Sequence, residues 1–125
     1  MTARHTTDGG DQILSYIRQC IEQDRYAFTS HAQTKHPIAE GFSEDDAIAA
    51  IFNGEVIEHY PDEGRCLVCG PAAGIAPSPE YIANYVHVVV KYDELVQVSI
   101  ITMYRPRSSE WINHFRRRSG RVEEE

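Results

Sequence analysis

The spacing of apolar residues changes at Asn53-Gly54, from a helical repeat before this dipeptide to a repeat of two after it. The helical repeat predicts a helix over residues 11–24 and a second helix after Ser43, where three acidic residues favour the positive end of the helix dipole. Asn-Gly is a strong helix stop, so the second helix should end at residue 53. Because helices precede the strands instead of alternating with them, the pattern predicts an α+β fold.

Four later segments show the alternation of half-buried strands, and turn-forming residues separate them. They are residues 55–60, 65–70, 85–92 and 95–104. Strands that follow one another through turns pair antiparallel. Ser108 or Ser109 then caps a last helix. Its apolar residues are Trp111, Ile112 and Phe115. We therefore expect N-terminal helices and one C-terminal helix packed on a small, twisted antiparallel sheet of about four strands.

The segment between the first two helices contains two shorter patterns. Residues 26–29 are short and β-prone, and residues 31–36 can form one or two helical turns. Ser30 is the expected N-cap of those turns, and Pro37 ends them.

The chain of 125 residues has the size of one domain, and we expect a single domain over residues 1–125. Residues 1–10 predict a loose arm, residues 71–84 a long loop and residues 119–125 a flexible tail. Apolar residues make up 42 % and charged residues 25 %, which is typical of a soluble protein. Since no apolar run approaches the roughly 20 residues of a membrane span, and the N-terminus lacks a secretory signal, we expect a cytoplasmic protein without a membrane partner.

The net charge of −7 disfavours a general nucleic-acid binder, because phosphate contacts need a positive surface. Residues 105–121 nevertheless contain six arginines and one glutamate. Two interpretations stay open for this segment: a solvated, arginine-rich last helix, or a basic patch that holds a phosphate group or an acidic partner.

The three cysteines are Cys20, Cys66 and Cys69, an odd number that favours reduced thiols. Cys66 and Cys69 have C-x-x-C spacing, but they lie in an expected strand, where residues three apart point to opposite faces. Buried thiols that behave as small hydrophobes are therefore expected. A zinc site built from Cys66, Cys69 and a histidine remains an alternative, and the sequence indicates no other metal or cofactor.

Two pairs of basic residues are candidates for chemistry. His31 and Lys35 are four apart and share one face of a short helix. His87 and Lys91 share one face of the strand at 85–92, and the opposite face is apolar. The apolar face is the natural core side, so His87 and Lys91 should line an open face of the sheet. Histidine titrates near neutrality and lysine can hold an anion, which predicts acid–base chemistry.

Tyr104 and Arg105 close the last strand. Tyr104 can donate a hydrogen bond to a phosphate, and Arg105 can pair with one through two hydrogen bonds. His36, His59 and His114 have no obvious partners in the sequence and are assigned to the surface. The six candidate site residues are therefore His31, Lys35, His87, Lys91, Tyr104 and Arg105.

The order of short motifs along the chain resembles a known family. The motifs are Thr29-Ser30-His31-Ala32, Lys35, Gly41-Phe42-Ser43, the Asn-Gly-Glu-Val-Ile-Glu-x-Tyr-Pro of residues 53–61, a strand ending in Gly70, His87-Val88-Val89-Val90, and Ile101-Thr102-Met103-Tyr104-Arg105-Pro106 followed by Trp111. Over residues 26–117 they resemble the domain of unknown function 4258. That family is similar in turn to the BrnT and RelE toxins, in the barnase–EndoU–colicin–RelE group of metal-independent ribonucleases.

The resemblance implies a RelE/BrnT-like fold with a site on the open face of the sheet. It also implies RNA cleavage by attack of a 2′-hydroxyl on the adjacent phosphate, with a base that takes the hydroxyl proton and an acid that protonates the leaving oxygen. His31 and His87 would divide these two roles, and Tyr104 would donate to the phosphate. Positive charge would come from Lys35, Lys91 and Arg105.

The partners that the resemblance implies are RNA and an antitoxin-like protein, and the oligomeric state stays open. The chain departs from such toxins in being acidic, and residues 71–84 look like an insertion. Fold analogy alone does not assign an activity. A non-catalytic module that binds a partner protein or a small anion on the same face is therefore the alternative to a ribonuclease.

Overall fold

The computed structural model describes residues 9–82 and 84–117, which form four helices, a short 3-10 turn at Pro61–Glu63 and one sheet of five strands. The helices are α1 (Gly10–Glu22), α2 (Ser30–Thr34), α3 (Pro37–Glu40) and α4 (Glu44–Asn53). The strands are β1 (Tyr26–Phe28), β2 (Glu55–Tyr60), β3 (Arg65–Pro71), β4 (Tyr85–Lys91) and β5 (Val98–Tyr104). The predicted α+β class is confirmed.

Hydroxyl side chains begin two of the helices. The Thr29 side chain accepts a hydrogen bond from the backbone N–H of Ala32, so Thr29 caps α2 in place of the expected Ser30. Helix α4 begins as predicted at Ser43. There the Ser43 hydroxyl accepts from the Asp46 backbone while the Asp46 carboxylate accepts from the Ser43 backbone at 2.8 Å, a reciprocal capping box.

The five strands lie in the order β1-β5-β4-β3-β2. Strands β2 to β5 pair antiparallel as predicted, whereas β1 runs parallel to β5, with Tyr26 beside Val98. The expected antiparallel sheet of about four strands is thus corrected to a mixed sheet of five. The alternation of a three-residue strand carries too little information to fix its partner or direction, since contacts distant in sequence decide both.

The apolar face of β4 packs against the helices, as the alternation predicted. Val86, Val88 and Val90 are fully buried there, in one cluster with apolar side chains of α1 and α4. This cluster is the main core, and it leaves the second face of the sheet to be covered by something else.

Residues 107–117, which we name the C-terminal strap, cover the second face of the sheet. They contain turns and bends where the sequence predicted a last helix, so that prediction is wrong. An isolated antiparallel bridge joins Trp111 to Arg117, and the Ile112 N–H donates to the Arg116 carbonyl at 2.7 Å. Three apolar residues in a short segment fit a helix by chance, and burial of the Trp111 ring on the sheet selects this hairpin-like turn instead.

A partly buried ion pair holds the end of the strap to the sheet. The Arg117 guanidinium donates to both carboxylate oxygens of Glu58 on β2, at 2.6 and 2.9 Å, and it lies over the Trp111 ring. Glu58 is only 4 % exposed, and it also accepts from the Tyr60 hydroxyl. Because both charges are paired in two-point geometry, neither is left unsatisfied under the strap.

Several predictions concern the ends of the chain and its long loop. Residues 72–82 contain no named helix or strand, which fits the expected loop at 71–84, although β3 extends through Pro71. Most of the predicted arm at 1–10 and all of the tail at 119–125 lie outside the described residues, and the part of the arm that is described starts α1. Among the helices of the described ranges, none is both long and apolar enough to cross a membrane.

Candidate functional site

Helices α2 and α3 lie beside the second half of β5, where β1 has ended. Strand β1 stops with Phe28 paired to Ile100, and the next N–H, that of Thr29, donates to the Ile100 carbonyl at 3.1 Å. Helix α2 then packs against β5 and carries His31, half-buried, and Lys35, exposed, at its end. The structure thus places these two predicted residues along the strand that ends in Tyr104 and Arg105.

The His36 side chain, at the N-cap of helix α3, forms a hydrogen bond with Glu40 at the end of that helix. Pro37 occupies the first turn of α3, where its missing N–H has no helical partner to lose, and the helix places Glu40 four residues after His36. The His36 Nδ1 lies 2.5 Å from a Glu40 carboxylate oxygen. The second carboxylate oxygen accepts the backbone N–H of Arg105 at 2.7 Å, which ties α3 to the end of β5.

The Arg105 side chain is buried beside this pair. It is 4 % exposed, and its Nη1 donates to the Glu40 backbone carbonyl at 3.2 Å. Its Nε and Nη2 are buried and make no hydrogen bond within the described part of the chain. A buried donor without an acceptor is costly, so the unpaired N–H groups on this edge of the guanidinium call for an explanation.

Tyr81, on the long loop, covers the flat face of Arg105. The Arg105 Cζ lies 4.4 Å from the centre of the Tyr81 ring, a cation–π distance. The loop is held there by pairing with the residues after β5: the Ile82 N–H donates to the Pro106 carbonyl, and the Ser108 N–H donates to the Glu80 carbonyl. The loop at 71–84 therefore shapes the surroundings of a predicted site residue.

Tyr104 lies between two histidine rings. Its ring centre is 5.9 Å from that of His36 and 5.3 Å from that of His87, its partner across the β4–β5 ladder. Its hydroxyl is 3.4 Å from the His87 Nδ1. Tyr104 thus contacts both His36, beside α3, and His87, on the face of the sheet that the strap covers.

His87 is fully buried, so the prediction that it lines an open face is wrong. The Trp111 ring packs edge-on against it at 4.4 Å, and its Nε2 donates to the His114 carbonyl at 2.6 Å. This bond puts the proton of the neutral ring on Nε2. Burial, assisted by the charge of Arg117, lowers the His87 pKa to about 3, so the ring is neutral at pH 7. The catalytic role predicted for His87 would require the strap to move.

Lys91 lies at the other end of β4 from the predicted cluster. It is four residues from His87, about 13 Å along a strand. Its Nζ pairs with Asp93 at 2.8 Å and donates to the Glu63 carbonyl. The structure therefore places Lys91 away from Tyr104 and Arg105, which lie at the opposite end of the β4–β5 ladder.

The zinc alternative also fails on geometry. Cys66 belongs to the main core, whereas Cys69 belongs to the cluster under the strap. The two thiols thus lie on opposite faces of β3, as their spacing predicted. Within residues 9–82 and 84–117, no three His, Cys, Asp or Glu side chains are grouped so that they could hold a metal.

Sequence reasoning missed the partners of three histidines that it assigned to the surface. His36 pairs with Glu40, buried His59 lies 2.6 Å from the Tyr92 hydroxyl, and His114 stacks on Tyr85. The i, i+4 spacing of His36 and Glu40 is a local signal for their contact, but Pro37 between them also indicates the end of a helix. The other two contacts cross the fold and leave no local signal.

These features define an α+β domain with a buried arginine, a hydrogen-bonded histidine–glutamate pair and a tyrosine at one end of its sheet. The chain belongs to the family described as a domain of unknown function (DUF4258), which matches residues 28–105. The matched span begins at the end of β1 and ends at Arg105. A comparison with curated proteins and a comparison with solved structures both found no match.

Proposed function

We propose that the protein binds a phosphate-type anion on the Nε–Nη2 edge of Arg105. This proposal depends on two unsatisfied donors in the guanidinium of Arg105, a residue that is 4 % exposed. Its Nη1 donates a hydrogen bond, whereas its Nε and Nη2 have no acceptor within the described residues. Arginine keeps its charge at every physiological pH, so its burial cannot be relieved by loss of a proton. An anion supplies both the acceptors and the opposite charge.

The geometry of the free edge favours two-point recognition. Nε and Nη2 lie side by side in one plane, and two parallel N–H bonds from this edge match two oxygens of a phosphate or carboxylate group. The flat face of the guanidinium is occupied by Tyr81, which leaves the edge for the ligand. Glu40, the carboxylate beside the site, is already engaged by His36 and by the Arg105 backbone, so it does not take up this edge.

A second candidate function is metal-independent RNA cleavage, and the His36–Glu40 pair favours it. The carboxylate holds the Nδ1 side of the ring, so that Nε2 is the atom that would exchange a proton with a substrate. The pair lies beside Arg105, which would stabilise the charged transition state. In this version His36 takes the role that the sequence gave to His87, while His31 and Lys35 remain proposed substrate contacts. An antitoxin-like partner belongs to this candidate alone.

Binding of inorganic phosphate tests the first candidate. We expect Arg105→Gln to weaken phosphate binding by about thirtyfold, because it removes a charged two-point donor. Arg107→Gln, an exposed arginine two residues away, is the matched control and should bind like the unmodified protein. Isothermal titration calorimetry measures both, and circular dichroism checks that each variant is folded. Equal affinity in the folded Arg105 variant and in the control would overturn the proposal.

Incubation with RNA in the presence of a chelator tests the second candidate. Cleavage that persists in chelator and falls by about 100-fold in His36→Ala is expected if the pair moves protons. The control is His59→Ala, because His59 lies on β2, at the opposite edge of the sheet. Intact RNA at every protein concentration would remove this candidate and leave the anion site standing.

A further inference from the structure

The tip of the C-terminal strap, which is residues 112–116, places the flat ring of His114 against Tyr85. The His114 imidazole stacks on the Tyr85 phenol with 4.1 Å between ring centres and 7° between ring planes. This is the face-to-face arrangement in which proteins hold the bases of single-stranded nucleic acids on aromatic side chains. The strap therefore fills a place that has the shape and chemistry of a base-stacking platform.

The tip contacts the sheet through groups different from those that hold the two ends of its turn. Trp111, 1 % exposed, and Arg117, paired with Glu58, anchor those ends. Between them, the His114 carbonyl accepts one hydrogen bond from the His87 Nε2 and one from the Cys69 thiol. A ligand that offers one acceptor and one flat ring would replace these tip contacts while the anchors remain in place.

The stacking place lies at the same end of the sheet as the anion site. Tyr85 is two residues from His87, and His87 pairs with Tyr104, the neighbour of Arg105. The family match covers both Tyr85 and Arg105 and ends before residue 107, where the strap begins. The strap is thus outside the matched span, although it covers a face that belongs to it.

We propose that His114 occupies a nucleobase subsite on Tyr85, and that a base of single-stranded RNA whose phosphate binds Arg105 displaces the strap tip. This inference rests on the proposed anion site and names its ligand class. The strap then regulates access to Tyr85, because a nucleotide base binds there only when the tip of the strap is displaced. Stacking accepts any base, so the subsite adds affinity with little sequence preference.

Cys69 reports displacement of the tip. Its thiol donates to the His114 carbonyl, and burial raises the pKa of Cys69 to about 12, so the thiol is protected while the tip is in place. Cys66 is the internal control: burial raises its pKa to about 12 as well, but it lies in the main core beneath the helices. A ligand that displaces the tip should expose Cys69 and leave Cys66 protected.

The experiment compares an adenosine tetranucleotide of RNA with an abasic ribose–phosphate chain of equal length, on the full chain. We expect the tetranucleotide to bind about tenfold more tightly and to speed the reaction of Cys69, but not of Cys66, with a thiol reagent. Tyr85→Leu should abolish the difference between the two ligands. Tyr16→Leu, the same change on α1, should keep it.

Each outcome separates this inference from the proposed function. Equal affinity of the two ligands with Cys69 still protected would overturn the nucleobase subsite, and phosphate binding that depends on Arg105 would leave the anion site intact. Loss of all phosphate binding would overturn both. If Tyr85→Leu does not fold, Cys69 labelling of the unmodified protein decides alone.

Discussion

Trp111→Ala is expected to lower the free energy of unfolding by about 3–5 kcal/mol. The indole ring is 1 % exposed and packs edge-on against His87, and Arg117 lies over its face. Removing it deletes the largest apolar side chain between the strap and the sheet and leaves a cavity that the remaining turn cannot fill. Urea denaturation followed by circular dichroism measures the loss.

Ile112→Ala is the matched control for Trp111, because it is the next residue of the strap but is 54 % exposed. It should change the free energy of unfolding by less than about 0.5 kcal/mol. A loss below about 1 kcal/mol for Trp111→Ala would mean that the strap does not unfold cooperatively with the sheet, and it would contradict the role of Trp111 as an anchor.

The stability should also fall steeply with acid because His87 is buried in its neutral form. Burial lowers its pKa to about 3, whereas the ordinary value is 6.5. Between these two pH values the unfolded chain binds a proton that the folded chain does not, so the free energy of unfolding decreases as the pH falls through this window. The expected loss is about 1.4 kcal/mol per pH unit, or about 4 kcal/mol by pH 3.5, and it is absent above pH 6.5.

His87→Gln isolates this contribution. Glutamine does not titrate, and its amide can still donate towards the His114 carbonyl that accepts from the imidazole. The difference in unfolding free energy between the unmodified protein and the variant should therefore shrink as the pH falls from 7 to 4. The contributions of the other titrating groups are the same in both proteins and cancel in this difference. A difference that stays constant over that range would show that His87 is protonated normally in the folded protein.

The elements that the sequence predicted correctly are those with strong local signals. Helix α4 has both a capping box at Ser43 and a stop at Gly54, and it begins and ends where expected. The opposite placement of Cys66 and Cys69 also follows from strand geometry alone. Both predictions depend only on residues that are neighbours in the chain, and the tertiary contacts of the fold are compatible with them.

The site was predicted less completely because its contacts are distant in sequence. The sequence predicts that Arg105 binds an anion, but the environment of Arg105 depends on Glu40, 65 residues away, and on Tyr81 from the long loop. His87 was assigned to an open face because the alternation of β4 shows which face is apolar. It does not show that the strap covers the other one. The pattern of residues in one sequence does not show which distant segment will bury a given face of a strand.

The proposed anion site is tested most directly by the nuclear magnetic resonance signal of the Arg105 Nε–H during titration with inorganic phosphate. We expect this signal to move strongly downfield, as an N–H signal does when it gains a charged acceptor, and the Arg107 Nε–H signal to stay unchanged. Phosphate binding that leaves the Arg105 signal unchanged, or no binding at all, would contradict the claim that this buried guanidinium is the anion site.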